Sequence, residues 1–198
     1  MQIRITVQGG TPLLMHNVRL ANPIDKFTQA VSEAASNYKA TKTEADFAEL
    51  ARREWLGGLY WEPEIGPYVP ASWIKGSLIR GGVAYGRKGT TVKAALHLDE
   101  DMVPLASKFP ENLADAWKDD QFRDVRGVKV GKNVVMRTRP RFDVWAVETT
   151  AYLDENLLDL KVLRSIAEKA GFGVGMGDFR PEKGGTFGRF TAIIEETR

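Results

Sequence analysis

The chain contains no cysteine and only two histidines, His16 and His97. The first absence removes disulfides, thiol chemistry and cysteine-based zinc sites together. The second leaves little from which to build a zinc cluster. No run of about eighteen apolar residues occurs, which excludes a helical membrane span. The opening MQIRITVQGG has no long apolar stretch and no cleavage site, so no secretory signal is expected and the cytoplasm is the expected compartment. No internal repeat or low-complexity linker interrupts the 198 residues, so one domain is expected over 1–198. What is present is ordinary in amount: 43% apolar residues are enough for a buried core.

The net charge of +2 conceals strong segregation. Pro67 to His97 holds five basic residues (Lys75, Arg80, Arg87, Lys88, Lys93) and no acid. Leu98 to Asp120 holds seven acids against two lysines. Gln121 to Arg141 holds seven basic residues against one acid, Asp124. Two nearly acid-free basic blocks point to a surface that faces a polyanion, with a separate acidic surface.

Ile3, Ile5 and Val7 alternate with Arg4 and Thr6, the pattern of a half-buried strand. Pro23–Tyr38 reads as a helix capped by Asn22, and Thr43 caps a second that carries Phe47, Leu50, Ala51 and Trp55 and stops at Gly57-Gly58. Leu59–Trp61 is strand-like. Ser72 is expected to cap a helix over Trp73–Ala84, whose internal glycines imply a close neighbour. Ala94–Leu98 and Met102–Leu105 are expected to pair around Asp99-Glu100-Asp101, a charged turn rather than a magnesium site. Asn112–Trp117 reads as a short acidic helix. Val128–Val130 and Val134–Met136 flank Gly131-Lys132-Asn133 as a second hairpin. Val144–Leu153 is a strand, Leu157–Ala170 a helix ending at Gly171, and Phe187–Ile194 the last strand. This order favours an α+β fold: a ferredoxin-like or RNA-recognition-like antiparallel sheet, with a helical insertion at 26–61 and a basic hairpin insertion at 121–141.

The glycine-rich stretch from Gly171 to Arg189 is not a phosphate-binding P-loop, since no Lys-Ser or Lys-Thr closes it. It also follows a helix and precedes a strand, the reverse of a dinucleotide fingerprint. No cofactor and no metal is expected. Its glycines permit close approach of a neighbouring backbone or of a phosphate chain, and Arg180 and Arg189 favour the latter. Pro67–Arg80 is the most specific segment: a proline turn feeds a helix whose N-terminal amides can hold an anion.

That segment resembles the "proline-glycine-serine-serine-leucine-lysine-glycine, then arginine" motif of the RAMP superfamily, the repeat-associated proteins that form backbone and RNA-processing subunits of CRISPR effectors. Pro70, Ser72, Lys75, Gly76 and Arg80 match, and Ala71 and Trp73 depart. Gly184-Gly185-Thr186-Phe187-Gly188-Arg189 is similar to the family's C-terminal glycine-rich loop, and Gly10–Leu14 to the end of its first strand. The resemblance implies an RNA-recognition-like core whose subunits bind RNA along a groove and stack into filaments; small phage-encoded members of similar layout also stand alone. Target-cleaving subunits carry an aspartate in an "aspartate-serine-proline" loop. Here Leu20-Ala21-Asn22-Pro23-Ile24 stands at that place, with Ala21 for the acid, so cleavage is not implied. In the basic hairpin the family suggests a thumb that wedges between bases, with Met136 or Val134 at its apolar tip.

The expected function is non-catalytic, largely sequence-independent binding of single-stranded RNA or DNA by a self-assembling, homo-oligomeric protein, with other CRISPR-like subunits as further partners and no membrane. No residue is assigned a catalytic role. The expected nucleic-acid contacts are His16, Asn17, Arg19, Trp73, Lys75, Arg80, Arg87, Lys88, Arg123, Arg126, Lys129, Lys132, Arg137, Arg139, Arg141, Phe179 and Arg180, placed along a shared path for one strand. Trp73, Phe179 or Tyr85 would stack on bases. The alternatives are a metal-independent endonuclease with His16 as general base, and a phage protein that engages host CRISPR components.

Overall fold

The structure, a computed structural model, describes Met1–Thr197, with Val130 given by its backbone alone. The chain begins with β1 (Gln2–Gly9), β2 (Leu13–Leu14), a 3-10 turn (Val18–Ala21), α1 (Lys26–Thr41), α2 (Glu44–Gly58), β3 (Trp61–Glu62) and β4 (Gly66–Pro70). Next come α3 (Ala71–Ala84), α4 (Gly89–Ala95), β5 (Leu96–Leu98), β6 (Met102–Ala106) and α5 (Leu113–Lys118). The chain continues with β7 (Arg123–Val130), β8 (Asn133–Phe142), β9 (Ala146–Leu153), α6 (Leu160–Lys169), a π-helical turn (Ala170–Val174) and β10 (Phe190–Glu196). Two compact units result: a sheet unit of 1–13, 61–108 and the residues from Asp143 on, and a hairpin unit of 14–60 and 109–142.

In the sheet unit β1 is central, with Ile3, Ile5 and Val7 buried as their alternation dictates. It pairs antiparallel with β10 on one side and β9 on the other. The sheet runs β10-β1-β9-β6-β4-β3, and β5 also joins β9. Taken alone, β1, α3, β5, β9, α6 and β10 form a β-α-β-β-α-β series with strand order β10-β1-β9-β5. That is an α+β antiparallel sheet consistent with the ferredoxin-like class. Helices α3 and α6 approach closely because Gly81 has no side chain: a Cβ there would lie 2.7 Å from the Ile166 carbonyl oxygen and 2.6 Å from Ala170 Cβ.

Several local expectations are corrected. α3 starts one residue before Ser72, at Ala71, with Pro70 at its N-cap and no side-chain cap. The proline ring fixes the right entry dihedral but offers no acceptor. β5 and β6 do not pair with each other; both lie along β9, Leu96–Leu98 opposite Leu153–Ala151 and Leu105-Ala106 opposite Val147-Ala146. The long partner strand satisfies both, so Asp99–Asp101 is a link along one edge. Ala94 and Ala95 belong to α4, not to β5. The helical path does not stop at Gly171: after α6 ends at Lys169 the chain runs on through the π-helical turn to Gly175, whose φ of 74° ends it. Gly171 is required for another reason, since a Cβ there would sit 2.0 Å from the Phe190 carbonyl oxygen. β10 accordingly begins at Phe190, not at Phe187.

In the hairpin unit α1 and α2 fold back on each other through Lys42, in the left-handed region at φ 54°, and Thr43, whose hydroxyl accepts from the Asp46 amide. The first helix starts at Lys26 rather than Pro23, because the Asp25 carboxylate caps it at the Phe27 amide. Trp55 is fully buried and donates its indole N–H to the Phe122 carbonyl at 2.7 Å. The rings of Phe109 and Trp117 pack on it, and Phe122 and Phe142 pack on Phe109. β7 and β8 pair from Arg123–Pro140 to Val130–Asn133 across a two-residue turn at Gly131-Lys132. The segment 121–141 lies in this unit, as does 26–60. Among the described residues no helix is long and apolar enough to cross a membrane.

Candidate nucleic-acid interface

The hairpin unit presents its basic residues on two faces. In an antiparallel pair, directly opposed residues share a face. Asp124 with Arg139, Arg126 with Arg137 and Val128 with Val135 make one face; Arg123 with Pro140, Val125 with Thr138, Gly127 with Met136 and Lys129 with Val134 make the other. The first face is turned to internal use. Arg126 grips the buried Asp124 carboxylate through two hydrogen bonds. Arg137 reaches the buried Glu54 of α2, whose second oxygen accepts from the Thr138 amide at 2.8 Å. Arg139 and Arg141 are half-buried beside them. Glu54 thus binds the hairpin to α2.

A Glu54→Gln variant should lose about 1–2 kcal/mol of stability. The amide oxygen still accepts from Thr138, and the charge it gives up faces an arginine that is 42% exposed and therefore partly screened. Urea unfolding followed by far-ultraviolet circular dichroism measures this; no shift in midpoint would show that the pair is not a clamp.

The second face is different. Val125, Val134 and Met136 are exposed, Val134 at 74%. Gly127 keeps room for them, since a Cβ there would lie 2.9 Å from Val134 Cγ1. Lys129 flanks this stripe and Lys132 stands in the turn, both exposed and, among the described residues, without an ion pair. Arg123, at the base, pairs with Asp120 and lies over the Trp117 ring at 4.5 Å.

The other hairpin-unit candidates divide. Asn17 is buried: its Oδ1 accepts from the Arg19 amide and its Nδ2 donates to the Leu59 carbonyl. Arg19 donates to the carbonyls of Leu56, Gly57 and Leu59 at 2.8–2.9 Å and stacks on Phe27. These polar contacts are with the protein itself, where they close the C-terminal end of α2. His16 is exposed.

In the sheet unit, Ser72, Trp73, Ser77 and Arg80 of α3 and Gly175, Met176, Gly177 and Arg180 of the glycine-rich stretch line a cleft of about 210 Å³. The Ser77 hydroxyl is buried there with no hydrogen-bond partner among the described residues. Arg80 and Arg180 converge on one carboxylate, that of Glu182, each at 2.7 Å. Two guanidiniums against one carboxylate leave one positive charge in excess. Sequence reading overlooked Glu182, although Arg180-Pro181-Glu182 is the tight turn that brings the acid back to its arginine. The loop holds its shape through backbone contacts. Gly188 (φ 67°) donates to the Pro12 carbonyl and accepts from the Met176 amide, and a Cβ at Gly185 would strike the Phe179 carbonyl oxygen at 1.7 Å. Phe179 takes a left-handed φ of 51° and its ring lies 6.2 Å from that of Phe187. Lys75 is half-buried in α3; Tyr85, Arg87 and Lys88 are exposed after its end. The last two and Lys75 have no ion pair among the described residues.

Chemically, both surfaces offer charge, donors and apolar contact, the means of holding an anionic chain. Among the described residues no three His, Asp or Glu side chains are grouped to hold a metal. No protein-family model matches the chain, and a search of curated proteins finds no match.

Proposed function

We propose that the protein binds single-stranded nucleic acid with little sequence preference, does not cleave it, and self-associates as a RAMP-like backbone subunit in the cytoplasm. The observation that carries this reading is the outer face of the hairpin, an exposed Val125–Val134–Met136 stripe edged by Lys129 and Lys132. Apolar tips of this kind wedge between bases while lysines neutralise phosphates. The cleft beside α3 supplies a second cationic surface with Trp73 in its wall. The acidic run from Asp99 to Asp120 of one copy would meet a basic face of the next.

Anisotropy of a labelled single strand, titrated at several salt concentrations, tests the reading. Log affinity should fall against log salt with a slope of about −0.7 per phosphate neutralised. The paired substitution Lys129→Gln and Lys132→Gln should flatten that slope by about one to two phosphate contacts. Val134→Ser with Met136→Ser should weaken binding and leave the slope alone. A salt-independent isotherm, or no binding, would overturn the proposal. Sequencing of whatever strand co-purifies chooses between RNA and DNA.

A further inference from the structure

We infer that Phe172 is a base-stacking platform backed by Arg189; the inference rests on the nucleic-acid reading above. The π-helical turn Ala170–Val174 sets it up. Such turns place an extra residue in the helical path and recur at functional positions. Gly171 pins the turn against β10, where there is no room for a Cβ beside the Phe190 carbonyl. The next residue, Phe172, is thereby thrust outward and is 73% exposed, well above Tyr85 and Phe179. Nothing lies within 4 Å of where a Gly173 Cβ would be, so the space beside the ring is open.

Beneath the ring sits Arg189, its guanidinium carbon 5.1 Å from the ring centroid. The Arg189 backbone is fixed: its amide donates to the Thr11 hydroxyl, and its carbonyl accepts from the Gly10 amide at 2.7 Å. Unlike Arg80 and Arg180, it has no carboxylate partner among the described residues, and its Nε–H is buried without an acceptor. Among the described residues the Phe172 ring is the contact this guanidinium makes, and no ion pair offsets its charge. One face of Phe172 is occupied by a guanidinium and the other is open to solvent. A nucleobase fits that open face by its π-surface, whatever its identity, and its phosphate finds an uncompensated positive charge. An aliphatic protein contact would use neither the ring's flatness nor the cation.

The test compares wild type, Phe172→Ala, Phe172→Leu, Phe172→Trp and Arg80→Ala, full-length, on a labelled single strand and on an abasic strand of the same length. Phe172→Ala should weaken the base-bearing strand about 5- to 30-fold and leave the abasic strand unchanged. Leucine should not restore affinity; tryptophan should. Arg80→Ala should weaken both strands. If Phe172→Ala binds the normal strand as wild type does while Arg80→Ala weakens it, the platform is wrong and the nucleic-acid reading survives. If wild type binds neither strand, both fall. If Phe172→Ala instead lowers the mass seen in multi-angle light scattering with unchanged affinity per chain, the ring serves contacts between copies and the platform is overturned. Circular dichroism of each variant confirms that the exposed substitution has not unfolded the chain.

Discussion

Replacing Gly188 by alanine should cost about 3 kcal/mol or more, because two penalties add. The residue lies at φ 67°, where an L side chain crowds its own backbone. Its Cβ would also fall 1.8 Å from the Met176 carbonyl oxygen, an overlap that must be relieved by moving backbone. That movement breaks the 2.9 Å bond from the Met176 amide to the Gly188 carbonyl and the 2.8 Å bond from the Gly188 amide to Pro12. Gly86→Ala is the matched control. It shares a positive φ, 89°, but nothing lies within 4 Å, so it should cost only about 1–2 kcal/mol. Urea unfolding by circular dichroism separates the two, and equal midpoints would mean that the crowding at Gly188 is relieved without cost. Met176 also lines the α3 cleft, so Gly188→Ala should weaken oligonucleotide binding more than Gly86→Ala does.

Trp55→Ala should be the most damaging substitution in the hairpin unit, at about 3–5 kcal/mol. Its ring is fully buried against Phe109 and Trp117, so truncation leaves a void as well as lost transfer energy. The Phe122 carbonyl loses its donor at the same time. Trp55→Phe keeps most of the volume and should cost roughly half as much, the indole hydrogen bond being the main loss. Denaturant curves for the two variants check the ordering. A tolerated alanine would show that the aromatic cluster is not the core of this unit.

The parts of the fold legible in the sequence were those set by local chemistry. The Ile3–Ile5–Val7 alternation, the Thr43 cap and the hairpin turn around Gly131-Lys132 each act over a few residues, and each stands where expected. What escaped depends on partners far along the chain. Nothing in Leu96–Leu98 or Met102–Ala106 tells that both would line up on β9. Glu54 stands after Arg52 and Arg53 like an exposed helix acid, yet it is buried because Arg137 and Thr138 arrive from a segment more than eighty residues away. For the interface, sequence could count cations but not their commitments. Arg126, Arg137 and Arg180 are as basic as Lys129 on paper, but a carboxylate already occupies each. Phe172 was missed because a glycine-flanked aromatic in a loop gives no sign of which way it faces.

The position of β1 governs when this protein can fold. Residues 2–9 are the middle rung of a ladder whose two neighbours, β9 and β10, begin at Ala146 and Phe190. A ribosome has therefore emitted the first strand long before it releases either mate, and Ile3, Ile5 and Val7 must wait unpaired meanwhile. The residues of the hairpin unit are all synthesised by Phe142, so that unit can assemble while the sheet is still incomplete. Closing so long a loop is slow, which makes the nascent N-terminal strand the segment that most needs shelter from other chains.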